Sequence, residues 1–228
     1  MIQVPVEQKI LSENQRVAAG LRSALESSGT LSLNFIGSPG AGKTAFLERT
    51  LEKLPPSTRA AVLTGDLQTE NDALRLGRYG YPVRQITTVG ACHLDARMVE
   101  KHLAGWDLEQ LDLLFIENVG NLVCPTSYDL GEDAKVVVLS VAEGEDKPLK
   151  YPGIFRKAEL MILNKVDLLP YVPFKPELAR EYARRIHPEI QIIETSATTG
   201  AGLDEWLGWL AARAAMKQLA HAALLQEI

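Results

Sequence analysis

Residues 31–44 read LSLNFIGSPGAGKT, and this stretch decides the fold. LSLNFI is a compact apolar strand. It runs directly into Gly37-Ser38-Pro39-Gly40-Ala41-Gly42-Lys43-Thr44, which fits G-x-x-x-x-G-K-[ST], and then into AFLERTLEKL, a helix stopped by Pro55-Pro56. Strand, glycine-rich loop and helix in this order make a phosphate cradle. Small residues (Gly37, Ser38, Gly40, Ala41, Gly42) let consecutive N–H groups point into one concavity, and the helix adds its positive end. Lys43 is placed to reach the β- and γ-phosphates, and the Thr44 hydroxyl to bind Mg²⁺. Lys43 is expected to face solvent when no nucleotide is bound.

Outward from this stretch the pattern repeats. Apolar strands are predicted at 60–65, 111–118, 135–141, 159–165 and 190–196, with a shorter one at 83–88. Helices are predicted at 7–27, 70–80, 94–105, 176–187 and 203–225. Most strands are continuous apolar runs, as expected for a parallel sheet covered on both faces. The expected architecture is therefore α/β: a three-layer P-loop NTPase fold with a mostly parallel central sheet flanked by helices. One domain over 1–228 is expected, with an N-terminal helix at about 7–27 and a core at about 31–225. Ile10, Val17, Leu21 and Leu25 give the N-terminal helix its apolar side, and it packs outside the core or serves a partner.

Composition narrows the function. The chain has 228 residues, 23% of them charged, and a net charge of −5. That balance argues against nucleic acid or an anionic membrane as the main partner. Cys92 and Cys124 are too few for a secreted disulfide scaffold. MIQVPVEQKILSENQ has no signal-peptide apolar region, and no run approaches the ~18 apolar residues of a membrane span. A cytoplasmic protein is expected.

Two further regions complete a phosphate site. Glu117 ends the strand LDLLFIE and opens Glu-x-x-Gly, closing at Gly120, where ordinary GTPases have Asp-x-x-Gly. Its carboxylate can bind Mg²⁺ directly or through water. Asp66 ends the strand AAVLTG, and Asp72 follows in QTEND. At least one of them is expected at Mg²⁺ or its waters, and either could orient the attacking water. Asp72 reads equally well as an acid on a helix face. With Lys43, these acids are the candidate catalytic groups.

Asn164-Lys165-Val166-Asp167 follows the strand LMIL. A carboxylate at Asp167 can accept from guanine N1–H and N2–H₂, a donor pair that adenine lacks. Asn164 can tie this loop to the phosphate loop, and the Lys165 stem can lie on the purine. Thirty-two residues beyond Asn164 comes Ser196-Ala197-Thr198, whose Ala197 N–H would meet guanine O6. The order of these motifs favours GTP over ATP.

Both cysteines lie beside this machinery. Cys92-His93 stands in TTVGACHLDA, and Cys124 lies seven residues beyond Glu117. Two thiolates and an imidazole suit a soft divalent metal or Cu(I), not calcium or structural magnesium. One chain is a ligand short of a tetrahedral structural zinc site, so water, a partner or a second chain completes it. The alternative is two small core cysteines and a helix-capping histidine. His102, His187 and His221 read as ordinary helix or helix-end residues.

GSPGAGKT, GDLQTENDALR (65–75), GACHLDARM (90–98), ENVGNLVCP (117–125), EGEDKPLKYP (143–152), NKVDLL (164–169) and SATTGAGLDEW (196–206) together resemble the hydrogenase maturation nickel GTPases, the HypB family. The resemblance covers residues 7–220 and is most specific at ACHLDARM and ENVGNLVCP. It implies a SIMIBI-class switch that forms a homodimer with GTP bound and hydrolyses GTP slowly. It further implies delivery of nickel to the nickel-iron hydrogenase large subunit with a HypA-type accessory protein. By motif, Cys92, His93 and Cys124 become the metal ligands at the dimer interface, with Cys124 brought to the other two by the γ-phosphate-sensing loop. The Cys-x-x-Cys-Gly-Cys and histidine-rich N-terminal motifs of many relatives are not found, so only the GTPase-domain metal site is expected. The urease maturation GTPases share the fold, but their Cys-Pro-His motif is missing. Competing readings are a metal-independent docking switch and a small-molecule kinase with Asp66 as its base.

Overall fold

Seven apolar runs become seven parallel strands in the computed structural model, which describes residues 6–66, 71–88 and 90–226. In chain order the elements are α1 (Val6–Ser27), β1 (Leu31–Ile36), α2 (Lys43–Lys53), β2 (Ala60–Asp66), α3 (Asn71–Gly77), β3 (Val83–Thr87), α4 (Ala96–Leu103) and β4 (Leu113–Glu117). There follow β5 (Ala134–Ser140), α5 (Lys147–Lys150), α6 (Pro152–Lys157), β6 (Leu160–Asn164), α7 (Pro176–Ile186), β7 (Gln191–Glu194) and α8 (Leu203–Gln226). Residues 67–70 of the QTEND stretch, and with them the first position of the helix predicted at 70–80, lie outside the described residues.

The sheet order is β3-β2-β4-β1-β5-β6-β7. Every neighbouring pair is parallel, so the sheet is wholly and not mostly parallel. Alternation along each strand sends side chains to opposite layers. Leu31, Leu33 and Phe35 of β1 join Phe46, Leu47 and Leu51 of α2 and Trp206 and Leu210 of α8 on one face. On the other face Leu63, Leu114 and Ile116 pack under α1 and α4, while Val137, Leu139 and Met161 pack under α6 and α7. Phe35, Phe46, Phe115 and Trp206 form the centre of the first layer, with ring centroids 5.2–6.2 Å apart. Burying each contributes about 1.5–3 kcal/mol. The Trp206 indole N–H reaches Thr50 Oγ1 at 2.9 Å, so its polar edge is satisfied inside the core.

All seven strands run the same way, so their carboxyl ends share one edge of the sheet. In such sheets that edge carries the ligand crevice. Both the phosphate loop after β1 and the Glu-x-x-Gly loop after β4 open there.

α1 docks through Val17, Ala18, Leu21 and Leu25. Ile10 departs from the expected stripe and is 52% exposed. It sits on the rim of a cavity of about 250 Å³ with Tyr128 and Arg97, beyond the layer that Val17 enters. The buried Asn14 fixes the helix instead: its amide donates to the Asp129 carbonyl and accepts from the Ala96 N–H, both at 2.8 Å. The β5–β6 crossover holds α5 and α6, which periodicity could not reveal. They are four and six residues long, each with a proline in its first two positions. Among the described residues no helix is long and apolar enough to cross a membrane.

Candidate nucleotide and metal site

The phosphate loop is shaped by close approaches. Gly42 has φ +96°, and a Cβ there would lie 2.4 Å from the Asn164 amide nitrogen. Only glycine meets both demands. Gly120 is pressed against Pro39, whose backbone a Cβ would meet at 3.0 Å. The Glu-x-x-Gly loop therefore rides on the phosphate loop. A backbone bridge from Gly37 to Asn121 joins them again.

A cleft of about 390 Å³ is lined by Gly40, Gly42, Lys43, Thr44, Asp66, Asp72, Glu117 and Gly120, among others. All four acid and lysine candidates thus share one wall system. Lys43 does not face solvent as expected. It is 7% exposed, with its ammonium 3.2 Å from the Gly37 carbonyl and 3.5 Å from that of Ser38. The loop wraps the amine, and its carbonyls replace water. Burial pulls the Lys43 pKa down, while Glu117, Asp72 and Glu143 push it back.

Glu117 is fully buried at the end of β4. The Thr44 hydroxyl donates to its Oε1 at 2.7 Å, and Thr64 donates to Oε2 at 3.4 Å. Burial pushes its carboxyl up to about 7, against the opposing pull of the Lys43 ammonium and the Thr44 hydroxyl. A hydroxyl and carboxylates converging here are hard oxygen donors, the set that fits Mg²⁺. Asp72 stands in the first turn of α3, with Arg75 3.4 Å away.

At the base end, the Asn164 amide donates to the Ala41 carbonyl at 3.0 Å, tying the two loops together. Its Oδ1 accepts from Thr195 Oγ1 at 3.3 Å and from the Ala197 N–H at 3.4 Å. Lys165, in a left-handed conformation at φ 65°, holds the Gly40 carbonyl at 2.7 Å. Ser196 caps its own loop by accepting from the Thr199 N–H at 3.0 Å. The Asp167 Oδ1 is buried with no hydrogen-bond partner. An orphaned carboxylate oxygen here fits a ligand with donors to give.

The cysteines and His93 are already together. Cys92 Sγ lies 2.6 Å from Cys124 Sγ and 3.9 Å from His93 Nδ1. All three ligand atoms lie within 4.8 Å of one another. Cys124 therefore needs no nucleotide-driven movement to reach its partners, contrary to expectation. Polar ties explain why. Asn118 Oδ1 accepts from the Leu94 N–H at 3.1 Å, and the Asn121 amide donates to the Cys92 carbonyl at 3.4 Å. Behind them Asn118 donates to Asn34, and Asn34 to Glu132. None of Asn34, Asn118, Asn121 or Glu132 stood out in the sequence as positioning residues. An asparagine in the middle of the apolar run LSLNFI was the available signal. The contact with Cys124, then burial, pushes the Cys92 thiol up; burial pulls His93 down. The His93 ring stacks on Tyr128 with centroids 3.7 Å apart. His102 and His187 instead bond to the carbonyls of Met98 and Ala158.

A parallel three-layer fold with this loop at its crevice edge defines a P-loop nucleotide-binding protein, here with two thiols and an imidazole gathered beside the loop that follows β4. Residues 32–194 match the family model described as CobW/HypB/UreG, nucleotide-binding domain. The chain is 52% identical over 205 residues to hydrogenase maturation factor HypB of Azotobacter vinelandii, covering 90% of this chain and 68% of that protein. The crystal structure of HypB from Archaeoglobus fulgidus superposes with a TM-score of 0.84 at 41% identity, covering 89% of this chain and 99% of that one. HypB from Helicobacter pylori, solved in complex with nickel, gives 0.84 at 39% identity, covering 90% and 96%. The chain belongs to the HypB family of hydrogenase maturation factors.

Proposed function

We propose that the protein is a GTP-hydrolysing, metal-carrying switch that assists nickel insertion into the nickel-iron hydrogenase large subunit. The observation that carries this reading is the placing of Cys92, His93 and Cys124 within 4.8 Å, on loops tied to the Glu117 loop. Nickel or zinc is cargo here, and two thiolates with an imidazole suit either.

The chain's own groups divide the nucleotide between them. Backbone N–H groups of residues 40–44 and the start of α2 receive the phosphates. Lys43 exchanges its bonds to the Gly37 and Ser38 carbonyls for phosphate oxygens. Thr44 and Glu117, with Asp66 or Asp72, hold Mg²⁺, which when bound neutralises charge on the phosphates. Asp66 or Asp72 orients the attacking water. Asp167 takes the guanine N1–H and N2–H₂, and the Ala197 N–H meets O6. Loss of γ-phosphate frees the 118–124 loop and so changes the geometry at Cys124.

Three soft ligands per chain leave a tetrahedral site incomplete, which favours two GTP-bound chains meeting at this face. A HypA-type carrier and the hydrogenase large-subunit complex are the partners, in the cytoplasm. Titration with Ni²⁺ and Zn²⁺, monitored by thiolate absorbance, tests the central claim. Binding that disappears in both Cys92→Ala and Cys124→Ala is expected. Unchanged binding in both would leave a nucleotide switch with structural cysteines.

A further inference from the structure

α2 touches both ends of the nucleotide cleft. Its first residues, Lys43 and Thr44, line the phosphate end. Six residues further on, Arg49 reaches the base loop: its Nε donates to the Ala197 carbonyl at 2.8 Å. Glu52, one turn along the same helix, holds the guanidinium from the other side at 2.6 Å. The Arg49 fork is thus fixed between its own helix and the loop after β7.

Ala197 is the residue whose N–H is assigned above to the purine O6. That N–H makes only a long contact, 3.4 Å, to Asn164 Oδ1. The rest of the loop closes on itself: the Ser196 N–H bonds to the Ala201 carbonyl at 3.0 Å, and the Gly200 N–H to that of Ser196 at 2.9 Å. These bonds set the loop's shape. The second of them holds the peptide plane that carries the Ala197 N–H, but only relative to the rest of its own loop. The Arg49 bond acts on the following plane and ties the loop to α2, and it is charge-assisted, the stronger kind.

We infer that Arg49 is a positioning residue for base discrimination, pinning the Ala197 carbonyl to α2 so that the Ala197 N–H is aimed at the purine 6-position. This rests on the guanine reading proposed above. An N–H aimed there meets an acceptor, O6, in guanine and hypoxanthine, and a donor, the 6-amino group, in adenine. A fixed donor rejects the mismatched base by leaving donors facing each other. A donor on a loop free to shift away from α2 loses that rejection. Arg49 also places phosphate and base recognition on a single rigid helix, so the distance between them is set by α2 itself.

The test is calorimetry with GDP, IDP and ADP in Mg²⁺, on wild type, Arg49→Ala and Arg49→Lys. IDP keeps the 6-oxo group and lacks the 2-amino group. In Arg49→Ala, GDP and IDP affinities should fall by the same factor, about tenfold for one charge-assisted bond, while ADP affinity holds or rises. Arg49→Lys, which retains a charged donor, should recover part of the GDP-to-ADP ratio. A wild-type protein that prefers GDP and an Arg49→Ala protein that keeps the full preference would overturn the inference alone. So would GDP and ADP affinities falling together with a lowered unfolding midpoint, because Arg49 would then only support the fold. A wild-type protein that binds ADP as tightly as GDP would overturn the guanine reading itself.

Discussion

The Thr44 hydroxyl donates to Glu117 Oε1 across 2.7 Å, joining the first turn of α2 to the end of β4. Both oxygens belong to the proposed Mg²⁺ site, and without the ion they satisfy each other. The carboxylate's cost is not fully met, since burial holds its pKa at about 7 against an ordinary value of 4.5. The sign follows from linkage. A carboxyl raised in the folded state favours folding below its unfolded pKa and loses that contribution as pH rises through 7.

Glu117→Gln should therefore stabilise the nucleotide-free protein at pH 8 and leave it nearly unchanged at pH 4.5. The gain is at most about 3 kcal/mol, at about 1.4 kcal/mol per pKa unit. Thermal unfolding in chelator at the two pH values measures it. The same variant should bind Mg²⁺-GDP more weakly, so saturating Mg²⁺-GDP should reverse the order of stability. A variant less stable than wild type at pH 8 in chelator would contradict the burial argument.

Asp167→Asn tests the base end. Its buried Oδ1 has no hydrogen-bond partner among the described residues, so the change leaves the loop's own bonds in place. Loss of the charged acceptor should weaken GTP binding by about 2–5 kcal/mol. Xanthine nucleotides, which bring an acceptor where guanine has the 2-amino donor, should gain affinity. Calorimetry with GTP and XTP reads both changes. Wild-type GTP affinity in the variant would remove Asp167 from the base site.

Lys43→Met addresses the phosphate end. The ammonium is buried against two carbonyls, so replacement removes a costly buried charge and also two hydrogen bonds. These effects oppose, and the unfolding free energy should move by only about 1 kcal/mol. GTP hydrolysis in a single-turnover assay should be lost, and GDP affinity should fall by at least about tenfold, as for one charged contact. Hydrolysis at the wild-type rate would exclude Lys43 from phosphate chemistry.

Local periodicity and motif context made the sheet legible. LSLNFI, AAVLTG, LDLLFIE and LMIL are apolar throughout because both faces of each strand are covered. Glycine spacing located the phosphate loop for the same reason that it is glycine: Asn164 leaves no room for a Cβ at Gly42. What stayed hidden depends on contacts distant in sequence. Lys43 was misread as solvent-facing because burial by its own loop's carbonyls leaves no mark in composition. Cys92 and Cys124 are thirty-two residues apart, and their meeting depends on Asn118 and Asn121, two asparagines that look like loop filler. Arg49 reads as one more charge in ERTLEK until β7 brings Ala197 beside it.

Coupling between metal and nucleotide is the most specific expectation. Because Cys124 already sits against Cys92, the metal ligands do not need to be gathered; what nucleotide can alter is the strain and mobility of the loop that carries Cys124. That loop is held to the phosphate cradle at Gly37–Asn121 and at Gly120–Pro39. A γ-phosphate acting on Gly120 would tighten both ties. Nickel and zinc affinities should then differ between GTP-analogue and GDP states, by about 1–3 kcal/mol for a typical coupling. Linkage requires metal to shift nucleotide affinity by the same amount. Metal titrations at fixed protein concentration in both states, with mass followed by light scattering, give affinity and dimerisation together. Cys124→Ala should abolish the difference while GTP binding persists, since no nucleotide contact is assigned to that thiol. Asn121→Ala should reduce the difference and keep all three ligands, because it removes the side-chain tie to the Cys92 carbonyl without touching the donors. Equal metal affinities and equal mass in the two nucleotide states would reduce the site to a static metal clip beside an independent GTPase.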